Sequence, residues 1–128
     1  MYDTKGIHVV ADFYGVSEPE KLNQLSYLYE WIGLAARKSN AELLKMDHYA
    51  FKPQGFTVYA ILSESSIDFH TYPEHGYMSI SIHTCGEKAD PVAGLLALKE
   101  VIQPESVNAI IINRGHIDRL HLEEFPNG

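Results

Sequence analysis

The chain of 128 residues contains a single cysteine, Cys85, so an intrachain disulfide is excluded. Disulfide frameworks stabilise many small secreted domains, and their absence favours a reducing compartment. No apolar run in the sequence approaches the length of about 20 residues that a membrane-crossing helix requires. A basic amino-terminal region followed by an apolar signal core is also missing. We therefore expect a cytoplasmic protein that has no membrane partner.

Positive charge is scarce as well, because 10 Lys and Arg stand against 17 Asp and Glu and give a formal net charge of −7. Nucleic-acid binding depends on clustered lysine and arginine that neutralise phosphates, so a nucleic-acid partner is not expected. The acidic balance suits a cationic small molecule, although many soluble proteins are acidic. The length indicates one domain, residues 1–128, without repeats or linkers.

Periodicity in the sequence predicts the secondary structure. The predicted strands span 7–14, 42–51, 56–63, 66–72, 77–84 and 107–113, and the predicted helices span 17–38 and 90–102. Ser17 is the candidate cap of the first helix, and the apolar run Ile110-Ile111-Ile112 predicts a central strand covered on both faces. This order predicts an α+β fold, a two-layer sandwich of a mostly antiparallel sheet with two helices on one face.

Side chains alternate in two of these strands. Ser66, Asp68 and His70 fall on one side of their strand, and Tyr77, Ser79, Ser81, His83 and Cys85 fall on one side of theirs. A solvated sheet face is one interpretation of this pattern. Tyrosine, histidine and cysteine are not typical of a purely solvated face, which favours a functional site or a dimer interface.

Residues 62–74 read Leu-Ser-Glu-Ser-Ser-Ile-Asp-Phe-His-Thr-Tyr-Pro-Glu, and residues 83–86 read His-Thr-Cys-Gly. Together with segments 6–15, 51–57 and 90–99, they resemble the pyruvoyl-dependent S-adenosylmethionine decarboxylases of the short bacterial and archaeal type. The resemblance covers roughly residues 6–115 and leaves out the tail from His116, whose role the sequence does not indicate.

The resemblance implies that the chain makes its own cofactor. The bond between Glu64 and Ser65 would be cut to give a chain of residues 1–64 and a chain of residues 65–128, with Ser65 converted to a pyruvoyl group. That ketone would form a Schiff base with the substrate amine and act as an electron sink. The implied reaction is decarboxylation of S-adenosylmethionine for polyamine (spermidine) biosynthesis.

The resemblance also implies a role for individual side chains. His70 would remove a proton from Ser65 during processing, Thr57 would aid processing where the family usually has serine, and Cys85 would protonate the substrate carbon after decarboxylation. The substrate-binding residues would be Phe51, which stacks on adenine, and Glu74, which accepts the ribose hydroxyls. Apart from the resemblance, a sulfonium cation is attracted to aromatic faces such as those of Phe51 or Tyr72, so Tyr72 is a third candidate for substrate binding. A homodimer is implied, with helix, sheet, sheet and helix layers and active sites shared between the protomers.

The sequence departs from the family pattern at Ser66, Tyr72 and His75, where the family usually has His, Trp and Tyr. These changes keep other functions open: decarboxylation of ornithine or arginine on the same scaffold, an uncleaved inactive homologue, or a simple binding module.

A zinc or copper site built from His70, His75, His83 and Cys85 is a further alternative. Their spacing matches no standard metal motif, so we expect no metal.

Overall fold

The computed structural model describes residues 4–117. The strands are β1 Gly6–Tyr14, β2 Leu43–Ala50, β3 Phe56–Leu62, β4 Ser65–Tyr72, β5 Tyr77–Cys85 and β6 Ser106–Arg114, and the α-helices are α1 Leu25–Lys38 and α2 Pro91–Ile102. The six strands form one sheet in the order β2-β3-β4-β5-β1-β6, and every neighbouring pair is antiparallel. The α+β fold predicted from the sequence is confirmed.

Both helices pack on one face of the sheet, because each carries an apolar stripe at three-to-four-residue spacing. The buried stripe consists of Leu28, Trp31, Ile32, Ala35 and Ala36 in α1 and of Leu95, Leu98 and Ile102 in α2. Asp90 caps α2, since its carboxylate accepts a hydrogen bond from the Ala93 amide at 3.0 Å. Within residues 4–117, neither helix combines the length and the apolarity that a bilayer crossing requires.

The helices come close together at Gly94. A Cβ atom at this position would overlap the Ser39 hydroxyl oxygen and would lie 2.9 Å from the Ala35 carbonyl oxygen. Ser39 is fully buried, and its carbonyl accepts a hydrogen bond from the Asp90 amide at 2.9 Å. Glycine is therefore needed for the contact between the two helices.

The alternation predicted for β5 is confirmed. Its buried side chains are Met78, Ile80, Ile82 and Thr84, whereas the intervening ones are partly exposed on the face away from the helices. β4 alternates in the same way, with Ile67, Phe69 and Thr71 buried. The polar side chains of both strands therefore share the face that the helices leave uncovered, which we call the open face.

The prediction of a continuous first helix capped by Ser17 is wrong. Residues Pro19–Asn23 form a 3₁₀-helix, and α1 begins only after an extended Gln24. The cause is tertiary, because the Leu22 carbonyl accepts a hydrogen bond from the Thr71 hydroxyl at 2.8 Å. The Ser17 hydroxyl instead donates to the Ile102 carbonyl at 3.3 Å.

The prediction that Ile110-Ile111-Ile112 lies in a central, doubly covered strand is also wrong. These residues belong to β6, an edge strand that pairs with β1 alone. The three side chains are 63%, 58% and 40% exposed, because α2 packs on β1 and β5 and the sheet extends past it. Ile110 and Ile112 register with Val10 and His8, which places them on the open face.

Candidate active site

A two-residue turn between β3 and β4 presents the predicted cleavage bond. Leu62 pairs with Ser65 across this turn, so only Ser63 and Glu64 connect the strands. Glu64 has φ of 63°, a left-handed conformation that costs a non-glycine residue about 1–3 kcal/mol. The Ser65 hydroxyl oxygen accepts a hydrogen bond from the Cys85 amide at 3.2 Å. This bond joins the start of β4 to the end of β5.

The turn opens into a cleft of about 610 Å³, which we call the serine cleft. Its walls are Asn40, Ala41, Glu42, Ser63, Glu64, Ser65, Cys85, Gly86, Glu87, Lys88 and Ala89. The predicted cleavage residues and the predicted proton donor are therefore brought together. Cys85 is a free thiol and is half-buried, so it is not a fully buried structural cysteine.

His70 lies on the open face between two polar partners. Its Nδ1 is 2.9 Å from the Thr57 hydroxyl oxygen, and its Nε2 is 3.4 Å from a carboxylate oxygen of Asp68. Thr57 and His70 face each other directly in the β3–β4 pairing. The structure therefore brings the two predicted processing residues, Thr57 and His70, into direct contact.

Asp68 was not assigned a role from the sequence. Burial raises the pKa of its carboxyl group, and the neighbouring His70 and His8 act in the opposite direction. The signal that could have found Asp68 is the two-residue spacing to His70, which places both side chains on one face of a strand.

A second cleft, of about 480 Å³, lies at the other end of β4, and we call it the aromatic cleft. Its walls are Phe51, Gln54, Phe56, Thr57, His70, Thr71, Tyr72 and Glu74. The three predicted substrate-binding residues and His70 are thus brought together. The Phe51 side chain is 50% exposed, so it does not belong to the hydrophobic core.

The two clefts are far apart within one protomer. Ser65 begins β4 and His70 lies five residues further along it, and a strand rises about 3.3 Å per residue, so their Cα atoms are about 16 Å apart. One chain alone therefore does not bring the predicted base to the bond that it would help to break.

A polar cluster that the sequence reasoning missed lies on the open face beside the start of β4, where His83 pairs with Ser66 and His8 pairs with His83. The His8 and His83 rings stack with centroids 4.8 Å apart, His8 Nε2 lies 2.6 Å from the Ser81 hydroxyl oxygen, and an Arg114 nitrogen lies 3.1 Å from His8 Nδ1. Burial is the main cause that lowers the pKa of His8, with Arg114 next. Burial also lowers the pKa of His83, together with His8 and Arg114.

The residues considered for a zinc or copper site, His70, His75, His83 and Cys85, do not share one set of contacts. His83 stacks on His8, whereas His70 contacts Thr57 and Asp68. Across the described part of the chain, no group of three or more His, Cys, Asp or Glu side chains is arranged to hold a metal ion.

Comparison with known proteins identifies relatives along most of the chain. The family model described as S-adenosylmethionine decarboxylase matches residues 7–115. An S-adenosylmethionine decarboxylase proenzyme of Brevibacillus brevis is 39% identical over 114 residues, covering 89% of this chain and 85% of the relative. The proenzyme of Persephonella marina is 32% identical over 129 residues, covering 98% and 96%.

A solved structure extends the likeness to the whole fold. The crystal structure of the adenosylmethionine decarboxylase from Aquifex aeolicus matches with a TM-score of 0.80 and 27% identity, covering 98% of this chain and 99% of that one. The family match spans well over half of the sequence, and the relatives align along nearly their full length. The chain belongs to the S-adenosylmethionine decarboxylase family.

Proposed function

We propose that this chain is a self-processing, pyruvoyl-dependent decarboxylase that acts on S-adenosylmethionine in polyamine (spermidine) biosynthesis. One observation carries the proposal: Ser65 follows a left-handed Glu64 and bonds to the Cys85 amide inside an open cleft. Family membership supports the same reaction. The single domain is the proenzyme, which divides into residues 1–64 and 65–128.

Processing begins at the hydroxyl of Ser65. Its oxygen attacks the carbonyl carbon of Glu64, and the acyl group moves from nitrogen to oxygen to form an ester. A base then removes the Cα proton of Ser65, and β-elimination releases Glu64 as a carboxylate. The dehydroalanine that remains tautomerises to an imine, and water replaces its nitrogen as ammonia to leave the pyruvoyl ketone.

Two features of the turn favour the first step. The left-handed backbone at Glu64 stores strain next to the bond that is attacked, and cutting the chain releases it. The Cys85 amide bonds to the Ser65 hydroxyl oxygen, which fixes the nucleophile at the start of β4. The serine cleft gives water access for the hydrolysis that ends the sequence.

The base for elimination is His70 of a second copy of the chain. Histidine is the side chain that most often acts as a general base, but within one protomer His70 lies about 16 Å from Ser65. In a two-fold dimer each open face covers the other, and the aromatic cleft of one chain faces the serine cleft of its partner. The exposed Ile110 and Ile112 would be covered in the same contact.

The aromatic cleft binds the substrate. The half-exposed Phe51 ring offers a stacking surface for adenine, and the exposed Glu74 offers carboxylate oxygens to the ribose hydroxyls. A sulfonium cation is attracted to the face of an aromatic ring such as that of Tyr72.

The serine cleft carries out the chemical step. The pyruvoyl group, once formed from Ser65, supplies the electron sink for loss of carbon dioxide. Cys85 donates the proton that replaces the lost carboxyl group, and its half-buried position beside Ser65 suits this role. Such a donor works as a free thiol, the form that a reducing cytoplasm maintains, so we place the enzyme in the cytoplasm.

Release of carbon dioxide from S-adenosylmethionine, ornithine and arginine, assayed side by side on cleaved protein, tests the substrate. We expect release from S-adenosylmethionine alone, and Glu74→Gln should raise its KM without preventing cleavage. Glu100→Gln is the matched control, because Glu100 is exposed on α2, on the opposite face of the sheet. Release from arginine or ornithine only would contradict the proposed substrate.

A further inference from the structure

Three tyrosine rings form a row across the open face, next to the aromatic cleft. The Tyr14 and Tyr77 rings are stacked with centroids 5.2 Å apart and planes 19° apart. The Tyr77 and Tyr72 rings are stacked at 5.3 Å and 25°. Tyr72 and Tyr77 face each other directly in the β4–β5 pairing. The row therefore crosses three neighbouring strands, β1, β5 and β4.

Asp12 fixes the middle of this row. The Tyr77 hydroxyl donates to one carboxylate oxygen of Asp12 at 2.6 Å, and the Tyr14 hydroxyl donates to the other at 3.2 Å. Burial, with the bond to Asp12 next, raises the pKa of Tyr77 to about 12. The Tyr77 hydroxyl therefore stays protonated near neutral pH and remains a donor to Asp12.

Tyr72 is the last ring of the row and lines the aromatic cleft beside Phe51 and Glu74. It is 44% exposed, and an exposed aromatic side chain on a strand has more than one χ1 rotamer open to it. The stack on Tyr77 selects one of them. A ring that is already fixed in its binding orientation loses less conformational freedom when a ligand arrives.

We propose that Tyr77, held by Asp12, is a positioning residue that fixes the Tyr72 ring as one wall of the substrate cleft. This inference rests on the proposed function, which makes the aromatic cleft the binding site for S-adenosylmethionine. Because the tyrosine row fixes the orientation of the Tyr72 ring, loss of the row weakens binding of the substrate in its ground state. The KM rises, while kcat and self-cleavage at Ser65 stay unchanged.

Variants of Tyr77 test this split between KM and kcat. Tyr77→Leu removes the stack and should raise the KM for S-adenosylmethionine by about 2- to 12-fold, the factor that one aromatic pair represents. Tyr77→Phe keeps the ring and loses only the bond to Asp12, so its KM should rise by less. Tyr59→Leu and Tyr59→Phe are matched controls, because the Tyr59 hydroxyl faces an Asp47 carboxylate at 3.4 Å on the same face. Both controls should keep the wild-type KM.

Fluorine NMR of protein labelled with 3-fluorotyrosine gives a readout that needs no turnover. The Tyr72 signal, identified by its loss in Tyr72→Phe, should shift and narrow in Tyr77→Leu and stay in place in Tyr59→Leu. An unchanged Tyr72 signal in Tyr77→Leu, or an unchanged KM in an active Tyr77→Leu enzyme, would overturn the positioning role. A wild-type chain that does not cleave or does not decarboxylate S-adenosylmethionine would overturn the proposed function instead, and the NMR comparison would still decide the role of Tyr77.

Discussion

Co-expression of Ser65→Ala and His70→Ala chains tests whether two protomers share one processing site. The base must come within about 3 Å of the proton that it removes, yet His70 lies about 16 Å from Ser65 along β4. If the partner supplies the histidine, a mixed dimer holds one site in which Ser65 and His70 are both intact. Its other site lacks both residues.

Random pairing sets the size of the effect. When the two chains are made in equal amounts, about half of the His70→Ala chains pair with a Ser65→Ala chain, as expected for a two-fold dimer. Those chains keep Ser65 and receive His70 from the partner, so about half of the His70→Ala chains should be cut. Neither variant expressed alone should be cut. Two different affinity tags and denaturing mass spectrometry distinguish the products of the two chains.

The control partner is a chain that carries both substitutions, because it assembles in the same way but cannot supply a histidine. No His70→Ala chain should be cut in that mixture. The shared site would be refuted if His70→Ala chains stay uncut in purified mixed dimers with Ser65→Ala chains. Full cutting of His70→Ala expressed alone would show that His70 is not the base.

Other substitutions give outcomes of different kinds. Cys85→Ala should permit some processing but lower carbon dioxide release by about 10²–10⁴-fold, the usual effect of losing a general acid; wild-type release would exclude the thiol as proton donor. Gly94→Ala should lower the free energy of unfolding by about 1–3 kcal/mol in urea denaturation, because the new methyl group overlaps the Ser39 hydroxyl; an unchanged midpoint would contradict the close helix contact. The pKa values of His8 and His83 lie below 6.5 in the folded chain, so the unfolded chain binds more protons and stability should fall as the pH drops below 6.5. His83→Gln should reduce this loss of stability, as measured by thermal unfolding between pH 5 and 8, a range around the ordinary histidine pKa. An unchanged loss of stability in the variant would contradict the role of His83.

The faces of β4 and β5 were predicted correctly from the sequence. In β5 the period of two separates Met78 and Ile80 from Ser79 and Ser81 without knowledge of any neighbour, since alternation is a local property of extended backbone. Family resemblance placed Ser65 and Cys85 in one site, and in the structure the Cys85 amide donates a hydrogen bond to the Ser65 hydroxyl oxygen.

Features that depend on contacts between residues far apart in the sequence could not be predicted from the sequence. The break before α1 follows from the hydrogen bond that the Thr71 hydroxyl donates to the Leu22 carbonyl. The sequence around Leu22 gives no indication of this bond. The run Ile110-Ile111-Ile112 indicates apolar surroundings but does not distinguish a central strand from an exposed edge strand. The Asp12–Tyr77 bond depends on which strands are neighbours, because these residues are 65 positions apart in the sequence.

The intact mass of purified wild-type protein under denaturing conditions tests the central claim most directly. Self-processing predicts two chains, residues 1–64 and residues 65–128, the second lighter by one ammonia than a chain that begins with serine and reactive toward a ketone reagent. Ser65→Ala should remain a single chain of 128 residues. A wild-type protein that stays whole after long incubation, with no ketone detected, would contradict the account.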